Sequence, residues 1–364
     1  MKRQPGSGVA IGPAAFTAFD AMLDVRSPAE FARDHIPGAL SCPVLDDAER
    51  ARIGTLYKQV SPFEANRRGA ALIARNIAGH VEAAFADKPR HWKPLVYCWR
   101  GGKRSAAMVH VLREIGWEAA ALEGGYRAYR RFVVAEIARL APLLRYRVVH
   151  GATGSGKSRL LQALARAGAQ VLDLEQLAAH RGSVLGNLPG KPQPSQKMFE
   201  SLLRQALDAF DRARPVYVEG ESRKIGQLQV PEALMQAMRA SHCVQLEASV
   251  ATRVALLLEE YRHFLEDRAA LEAQLDCLVA LHGRSRIAEW QALAARGAWA
   301  ELVARLLEEH YDPAYLRSAQ RNFPRLAEAR LLRVDSPDAA GFLRLARELV
   351  SGRSEAQTEA RLTA

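Results

Sequence analysis

Two short stretches of this sequence combine residue types that can do chemistry. Residues Cys98 to Ser105 read C-W-R-G-G-K-R-S. A thiol heading a glycine-bearing turn, with Arg100, Lys103 and Arg104 near it and a helical pattern behind, has its thiolate stabilised by cations and by the helix N-terminus. Such a thiolate is a nucleophile or the carrier of a terminal sulfur or selenium anion; Trp99, Gly101 and Gly102 complete the cradle that would curl around it. Residues Gly151 to Ser158 read G-A-T-G-S-G-K-S, which fits G-x-x-x-x-G-K-[ST] after a β-branched run and before a helix. Gly151, Gly154 and Gly156 allow the loop, Thr153 and Ser155 included, to turn its N–H groups onto a phosphate. Lys157 adds a point charge and Ser158 a hydroxyl suited to Mg²⁺. Hydrolytic enzymes with such a loop usually present an aspartate on a neighbouring strand. Here Pro215 to Ser222 reads P-V-Y-V-E-G-E-S, so Glu219 and Glu221 are the less typical acid or metal candidates. A salt bridge from Glu219 to Arg223 or Lys224 is its structural alternative, and the departure leaves room for a loop that grips a diphosphate leaving group.

The elements that must position these loops read as alternating strands and helices. A first region opens with a strand at Ala21 to Val25 and reaches a buried strand at Pro94 to Cys98, followed by a helix from about Arg104 to Ile115. A connecting helix spans Arg130 to Leu144, and Pro142 places the domain break near residue 141. The second region runs through a strand at Tyr146 to His150, a helix at Ser158 to Arg166, then strands at Gln170 to Leu174, Val216 to Glu219, Cys243 to Glu247 and Leu331 to Val334. That series predicts a mostly parallel sheet with helices on both faces. About 249–319 is purely helical, a lid or insertion, and 353–364 reads as a flexible tail. The fold class is therefore α/β, with domains over 1–140 and 141–364.

Composition narrows the function classes. The 364 residues include 49% hydrophobic and 25% charged residues, and no apolar run reaches the roughly 20 residues of a membrane helix. Met1 to Ala10 carries no apolar stretch after Lys2 and Arg3, so the cytoplasm is the expected compartment, with no membrane partner. Four cysteines, none in a C-x-x-C pair, exclude a disulfide framework. Of these only Cys98 heads a glycine-rich loop, and Cys42, Cys243 and Cys277 read as inert. The net charge of +11 fits a polyanionic partner and equally a solvated basic surface; nine of the 51 basic residues are lysine, a bias that decides nothing.

Upstream of Cys98, Leu23 to Ala39 reads L-D-V-R-S-P-A-E-F-A-R-D-H-I-P-G-A. With the Cys-headed loop, this half resembles a rhodanese domain, which implies a chalcogen carried on Cys98 as a persulfide-type adduct, a tying, structural role for Asp24 and Arg26, and a packing and turn role for His35. The other half looks like a P-loop NTPase domain with a helical insertion. The whole chain, over about residues 15 to 345, resembles the tRNA 2-selenouridine synthase family. Further matching stretches are I-G-T-L-Y-K-Q-V-S-P-F-E-A from Ile53, L-E-G-G-Y-R-A-Y-R from Leu122, A-H-R-G-S-V-L-G ending at Gly186, S-Q-K-M-F-E-S-L from Ser195, V-E-G-E-S-R-K-I-G from Val218 and H-Y-D-P-A-Y-L-R-S from His310.

The resemblance implies replacement of the 2-thio sulfur of a tRNA wobble uridine by selenium, with selenophosphate as donor. It also implies S-geranylation of that sulfur from geranyl diphosphate, which turns the sulfur into a leaving group. Gly151 to Ser158 would hold the diphosphate without ATP hydrolysis, Mg²⁺ being a candidate companion, and Cys98 would act in the selenium step. The implied partners are tRNA at its anticodon region and, as a candidate, selenophosphate synthetase; the oligomeric state stays open. Basic residues near the sites, Lys58, Arg67, Arg68, Arg127, Arg130, Arg131, Arg223 and Lys224, are tRNA-contact candidates. Tyr57, Trp99 and Tyr126 are candidate platforms for a splayed base. Two alternatives stay beside this reading: an ATP-dependent tRNA sulfurtransferase with a persulfide on Cys98, and a nucleotide-responsive binding module. Docking rhodanese folds commonly lack the nucleophile and need no cationic cradle, which disfavours the second.

Overall fold

The computed structural model describes residues 9–10, 12, 17–183, 185–220 and 222–351. Glu221 and the tail expected over 353–364 lie outside them. The chain divides into two compact units, Met1–Glu136 with Pro194–Gln205, and Ile137–Gln193 with Ala206–Ala364. The division thus falls slightly before the expected break at 141. Pro194–Gln205, expected in the second domain, instead belongs to the first.

In the first unit, β1 (Ala21–Asp24), β2 (Leu40–Ser41), β3 (Pro94–Tyr97) and β4 (Ala120–Ala121) form a parallel sheet in the order β2-β1-β3-β4. The two central strands are in register from Ala21 opposite Pro94 to Asp24 opposite Tyr97. All four residues of β3 are buried, as expected of a parallel strand covered on both faces. Helices α1 (Pro28–Arg33), α2 (Asp47–Gln59), α3 (Pro62–Ala83), α4 (Lys103–Ile115) and α5 (Gly125–Leu140) surround it. Local signals set their ends. Asp46 and Glu49 form a reciprocal capping box at α2, Pro62 follows the Ser61 cap of α3, and Gly116 closes α4 at φ +106°. The helix expected from Arg130 begins five residues earlier, at Gly125, and a short 3₁₀ turn follows at Ala141–Leu143.

The strand end of β1 carries a buried ion pair. The Arg26 guanidinium donates to both carboxylate oxygens of Asp24, at 2.6 to 3.1 Å, and to the backbone oxygen of Asp34 at 2.7 Å. Its plane lies 3.8 Å from the Tyr126 ring centroid. Tyr126 in turn donates its hydroxyl to Asp34 Oδ2 at 2.6 Å, and Ser201 donates to Asp34 Oδ1 at 3.0 Å. Ser201 belongs to α8 (Gln196–Ala209), and this bond, with that of Ser195 to the Arg33 carbonyl, explains why Pro194–Gln205 joins this unit.

The second unit is built on a five-stranded parallel sheet. Its strands are β5 (Tyr146–Gly151), β6 (Gln170–Leu172), β7 (Val216–Glu219), β10 (His242–Glu247) and β11 (Arg330–Arg333), ordered β11-β10-β5-β7-β6. A small antiparallel hairpin, β8 (Lys224–Ile225) with β9 (Leu228–Gln229), follows β7. Helices α6 (Lys157–Arg166) and α16 (Ala339–Val350) share one core through Leu160, Leu161, Leu164, Phe342 and Ala346. α7 (Leu174–Ala178) and α9 (Glu232–Arg239) complete the set around the sheet. The helical stretch expected from 249 runs from α10 (Val250–Glu260), capped by Ser249, through α11 (Arg262–Glu266), α12 (Arg268–Asp276), α13 (Val279–Ala295) and α14 (Trp299–Leu306). A π-helical turn at Leu307–Tyr311 then leads into α15 (Asp312–Asn322). It has its own core around Leu275, Ile287, Trp290, Leu293 and Leu302.

Replacing Arg26 with Met removes every cationic partner shown for a carboxylate that has no exposure to water. Leaving one half of such a pair costs about 3–5 kcal/mol. Urea denaturation of Arg26→Met should show that loss, and the Asp24→Asn, Arg26→Met double variant should lose less than the sum of the single changes.

Candidate functional site

Cys98 follows β3 directly and sits at the foot of its loop, 3% exposed, while Trp99 to Lys103 above it are exposed. Gly102 donates its N–H to Cys98 Sγ at 3.2 Å, and Ser105 Oγ lies 3.2 Å from the same sulfur. Burial by itself raises the thiol pKa. The hydrogen bonds from Ser105 and Gly102 outweigh it, with help from the Arg104 charge, and hold the Cys98 thiol below its ordinary value. By contrast burial pushes the thiols of Cys42 and Cys243 up, to about 12 and about 11. The bottom of the loop is fixed from α5, whose Tyr126 and Arg127 N–H groups donate to the carbonyls of Cys98 and Trp99 at 2.8 and 3.1 Å. That close approach needs glycine. A Cβ on Gly125, at φ +54°, would lie 2.3 Å from the Cys98 oxygen and 2.5 Å from the Gly101 nitrogen.

The cradle is smaller than its sequence suggests. Arg104 faces Glu30 at 3.2 Å and still contributes its field to the thiol. Lys103, expected in the cradle, points away and donates to Asn66 on α3 at 3.1 Å, because the first turn of α4 rotates its side chain outward. Arg100 is exposed at the rim.

In the second unit the loop Gly151–Ser158 joins the central strand β5 to α6. Gly154 and Gly156 take φ +79° and +88°. A Cβ on Gly156 would lie 2.3 Å from the Phe342 ring, and one on Gly154 would lie 2.8 Å from Leu257. Lys157 Nζ donates to the Gly151 carbonyl at 2.8 Å. Ser158 Oγ donates to Glu175 Oε2 at 3.0 Å, and the Glu175 N–H donates to Glu219 Oε1 at 2.7 Å. This places a hydroxyl and two carboxylates in one hydrogen-bonded chain, a donor set of the hard oxygen type that suits Mg²⁺. Glu219 is 2% exposed and anchors the N-terminus of α7. Glu175 escaped the sequence reading because nothing local marks it; its place follows from the pairing of β6 with β7, which brings the start of α7 beside the loop. His150, at the end of β5, is buried against Gly220 and Phe323, and burial reinforced by the Lys157 charge pushes its pKa down to about 4. It is therefore neutral at pH 7 and leaves the cationic role to Lys157.

The candidate RNA contacts sort by exposure. Lys58, Arg67 and Arg68 are exposed on α2 and α3, the two arginines sharing Glu64 at 2.8 and 2.5 Å, and Arg127 and Arg131 are exposed on α5. Arg223 and Lys224 are exposed beside β8, Arg223 within 3.7 Å of Glu232. Arg130 is a correction. Its side chain is 13% exposed and is held by Glu200, the Lys197 carbonyl and Ser201, so it fastens α8 to α5. Tyr126 is likewise no base platform: it is 3% exposed beneath Trp99, which stacks on it at 5.4 Å and is itself 37% exposed. Tyr57 is 54% exposed.

Ser105→Ala should raise the pH midpoint of Cys98 alkylation by about one unit, since a hydrogen bond to a charged group is worth roughly 1.5–3 kcal/mol and one unit is about 1.4 kcal/mol. The check is a pH series of iodoacetamide rates with Cys98→Ser as blank. An unchanged midpoint would remove Ser105 as the main stabiliser of the thiolate.

Family models of known proteins match both halves of the chain. Residues 14–132 match the rhodanese-like domain model, and residues 144–276 match the model described as the tRNA 2-selenouridine synthase AAA domain. A tRNA 2-selenouridine synthase of Nitrosomonas europaea is 36% identical over 71% of this chain and 68% of its own length. That of Bdellovibrio bacteriovorus is 32% identical over 82% of this chain and 89% of its own, and that of Cupriavidus pinatubonensis 34% over 84% and 90%. At 32–36% identity over more than two thirds of the length of each of these relatives, the chain belongs to the tRNA 2-selenouridine synthase family.

Proposed function

We propose that this protein converts 2-thiouridine at the tRNA wobble position to 2-selenouridine in two transfers, first of a geranyl group and then of selenium. The observation that carries the reading is the presence in one chain of two different loops, one that holds the Cys98 thiol below its ordinary pKa and one with the phosphate-loop pattern at Gly151–Ser158. In the first transfer the thiocarbonyl sulfur attacks C1 of geranyl diphosphate. The C1–O bond breaks, diphosphate leaves with both electrons, and the N3 proton of the uridine passes to solvent. The N–H groups of the loop and the Lys157 ammonium stabilise charge on the departing group, which is where such stabilisation is worth most. Ser158, Glu175 and Glu219 are the residues that would hold a Mg²⁺ ion beside the phosphates, and the ion would supply Lewis-acid charge neutralisation when bound.

In the second transfer the selenium of selenophosphate adds at C2 and the geranyl thiolate departs and takes up a proton; water then cleaves the Se–P bond, phosphate leaves, and selenium stays on C2 with a proton restored at N3. Alkylation is what makes this feasible, because it replaces a poor leaving group by a thiolate. Cys98 acts here, with its loop suited to hold a selenium anion: the Gly102 N–H donates to a sulfur biased toward the anionic form, and Ser105 Oγ lies 3.2 Å from it. The tRNA is bound through exposed arginines and lysines such as Lys58, Arg67, Arg68, Arg127, Arg223 and Lys224, so binding weakens with salt. Among the described residues no helix is long and apolar enough to cross a membrane.

The test separates the two loops. Purified protein is given tRNA bearing wobble 2-thiouridine and geranyl diphosphate, then selenophosphate, without ATP, and nucleosides are analysed by mass after each addition. One geranyl mass should appear and then be lost as selenium enters. Lys157→Ala should lower geranylation at least 100-fold and leave selenation of pre-geranylated tRNA within about threefold; Cys98→Ala should do the reverse. Turnover that begins only when ATP is added would make the loop an activating site and the chemistry that of a sulfurtransferase.

A further inference from the structure

Beside the phosphate loop lies a pocket whose lining carries no charged side chain. Its walls come from α10, α11 and α14, with Leu258, Tyr261, Leu265, Val303 and Leu306 facing the space and Thr153 of the loop at one end. The pocket and the loop are in direct contact, since Leu257, also in the wall, sits where a Cβ on Gly154 would fall 2.8 Å away. Two of the hydroxyls in the lining are turned on each other, Ser183 Oγ lying 3.2 Å from Tyr261 Oη. The same helix α10 that supplies Leu257 and Leu258 is fastened to the loop by Arg253. Its Nε donates to the Thr153 carbonyl at 2.8 Å, and its other nitrogens donate to Asp312 at 3.0 and 2.5 Å, one residue after the π-helical turn.

A site that offers N–H groups and an ammonium to phosphate at one end and an uncharged, largely aliphatic wall at the other is complementary to a phosphorylated hydrocarbon. A nucleobase would bring ring nitrogens and exocyclic groups into a wall with little to pair them, and each unpaired buried polar group is costly. We propose that the helical segment Val250–Tyr311 is a hydrocarbon-binding module, that its pocket takes the tail of the diphosphate ester held by Gly151–Ser158, and that Arg253 is the positioning residue that keeps pocket and loop in register. The proposal rests on the reading that a diphosphate ester occupies the loop, and it assigns to this segment the choice of chain length.

Calorimetry on the full chain, with inorganic diphosphate, dimethylallyl, geranyl and farnesyl diphosphates as probes, tests it. Geranyl diphosphate should bind at least tenfold tighter than dimethylallyl diphosphate, and the latter tighter than inorganic diphosphate, because each buried methylene adds to affinity. Val303→Trp, which fills the pocket, should bring geranyl diphosphate to within about twofold of inorganic diphosphate and leave the latter's affinity unchanged. Val303→Ala, which perturbs the fold least, should move the preference at least threefold toward farnesyl diphosphate. If inorganic diphosphate binds and the tails add nothing, or if neither Val303 variant changes the ratios, the pocket proposal is overturned while the loop reading stands. If inorganic diphosphate does not bind the unaltered protein, both fall.

Discussion

A parallel strand that runs into a helix leaves the first N–H groups of that helix without carbonyl partners, and they must be satisfied by something electron-rich. Both sites of this protein are answers to that constraint. In each unit the loop leaves the middle of the sheet, β3 in one and β5 in the other, where flanking strands hold its base rigid. At Cys98 the electron-rich group is covalently part of the chain, the sulfur that accepts from the Gly102 N–H and lies 3.2 Å from Ser105 Oγ. At Gly151–Ser158 the loop instead carries Gly154 and Gly156 at positive φ, a backbone shape that suits a phosphate. The same backbone problem thus yields a thiol of lowered pKa in one unit and a loop of the phosphate-binding pattern in the other.

The thiolate loop depends on a layer behind it. Asp24, Arg26, Tyr126 and Asp34 form a continuous buried set, and Tyr126 belongs to it through three different groups: its ring faces Arg26, its hydroxyl donates to Asp34 and its N–H donates to Cys98. Two carboxylates and a guanidinium this deep are tolerable only because each has several partners. The segment Pro194–Gln205 closes the set through Ser201 and through Arg130 with Glu200. The geometry of a sulfur near residue 98 therefore rests on residues near 24, 34, 126 and 201.

That dependence marks how far the sequence could be read. The central strands, the helix after each loop, the two loops and the helical stretch after 249 are all encoded locally, by apolar runs, capping residues and glycines. Tyr126, Arg130, Lys103 and Glu175 are not. Arginine and lysine in a motif read as exposed charge by default, and only the packing of α8 against α5 shows Arg130 half-buried as a clamp. Lys103 differs from Arg104 by one position on a helix, about 100° of rotation, which is enough to aim one at Asn66 and the other toward the thiol's field. Glu175 reaches Ser158 through sheet order, a property of non-local pairing that no local pattern carries.

Sharing one helix between a loop and a pocket has a further consequence for the chemistry. α10 contributes Arg253 to the carbonyl of Thr153 and Leu257 to the space above Gly154, so any shift of that helix is felt by the loop backbone. A packed interface of this kind resists small displacement and transmits it, because interior contacts leave little free space. Tail binding in the pocket would then help hold the loop in the geometry that receives the diphosphate, and energy gained far from the breaking bond would be used to orient it. That is the usual route by which a non-reacting portion of a substrate raises the rate of its transfer and not merely its affinity.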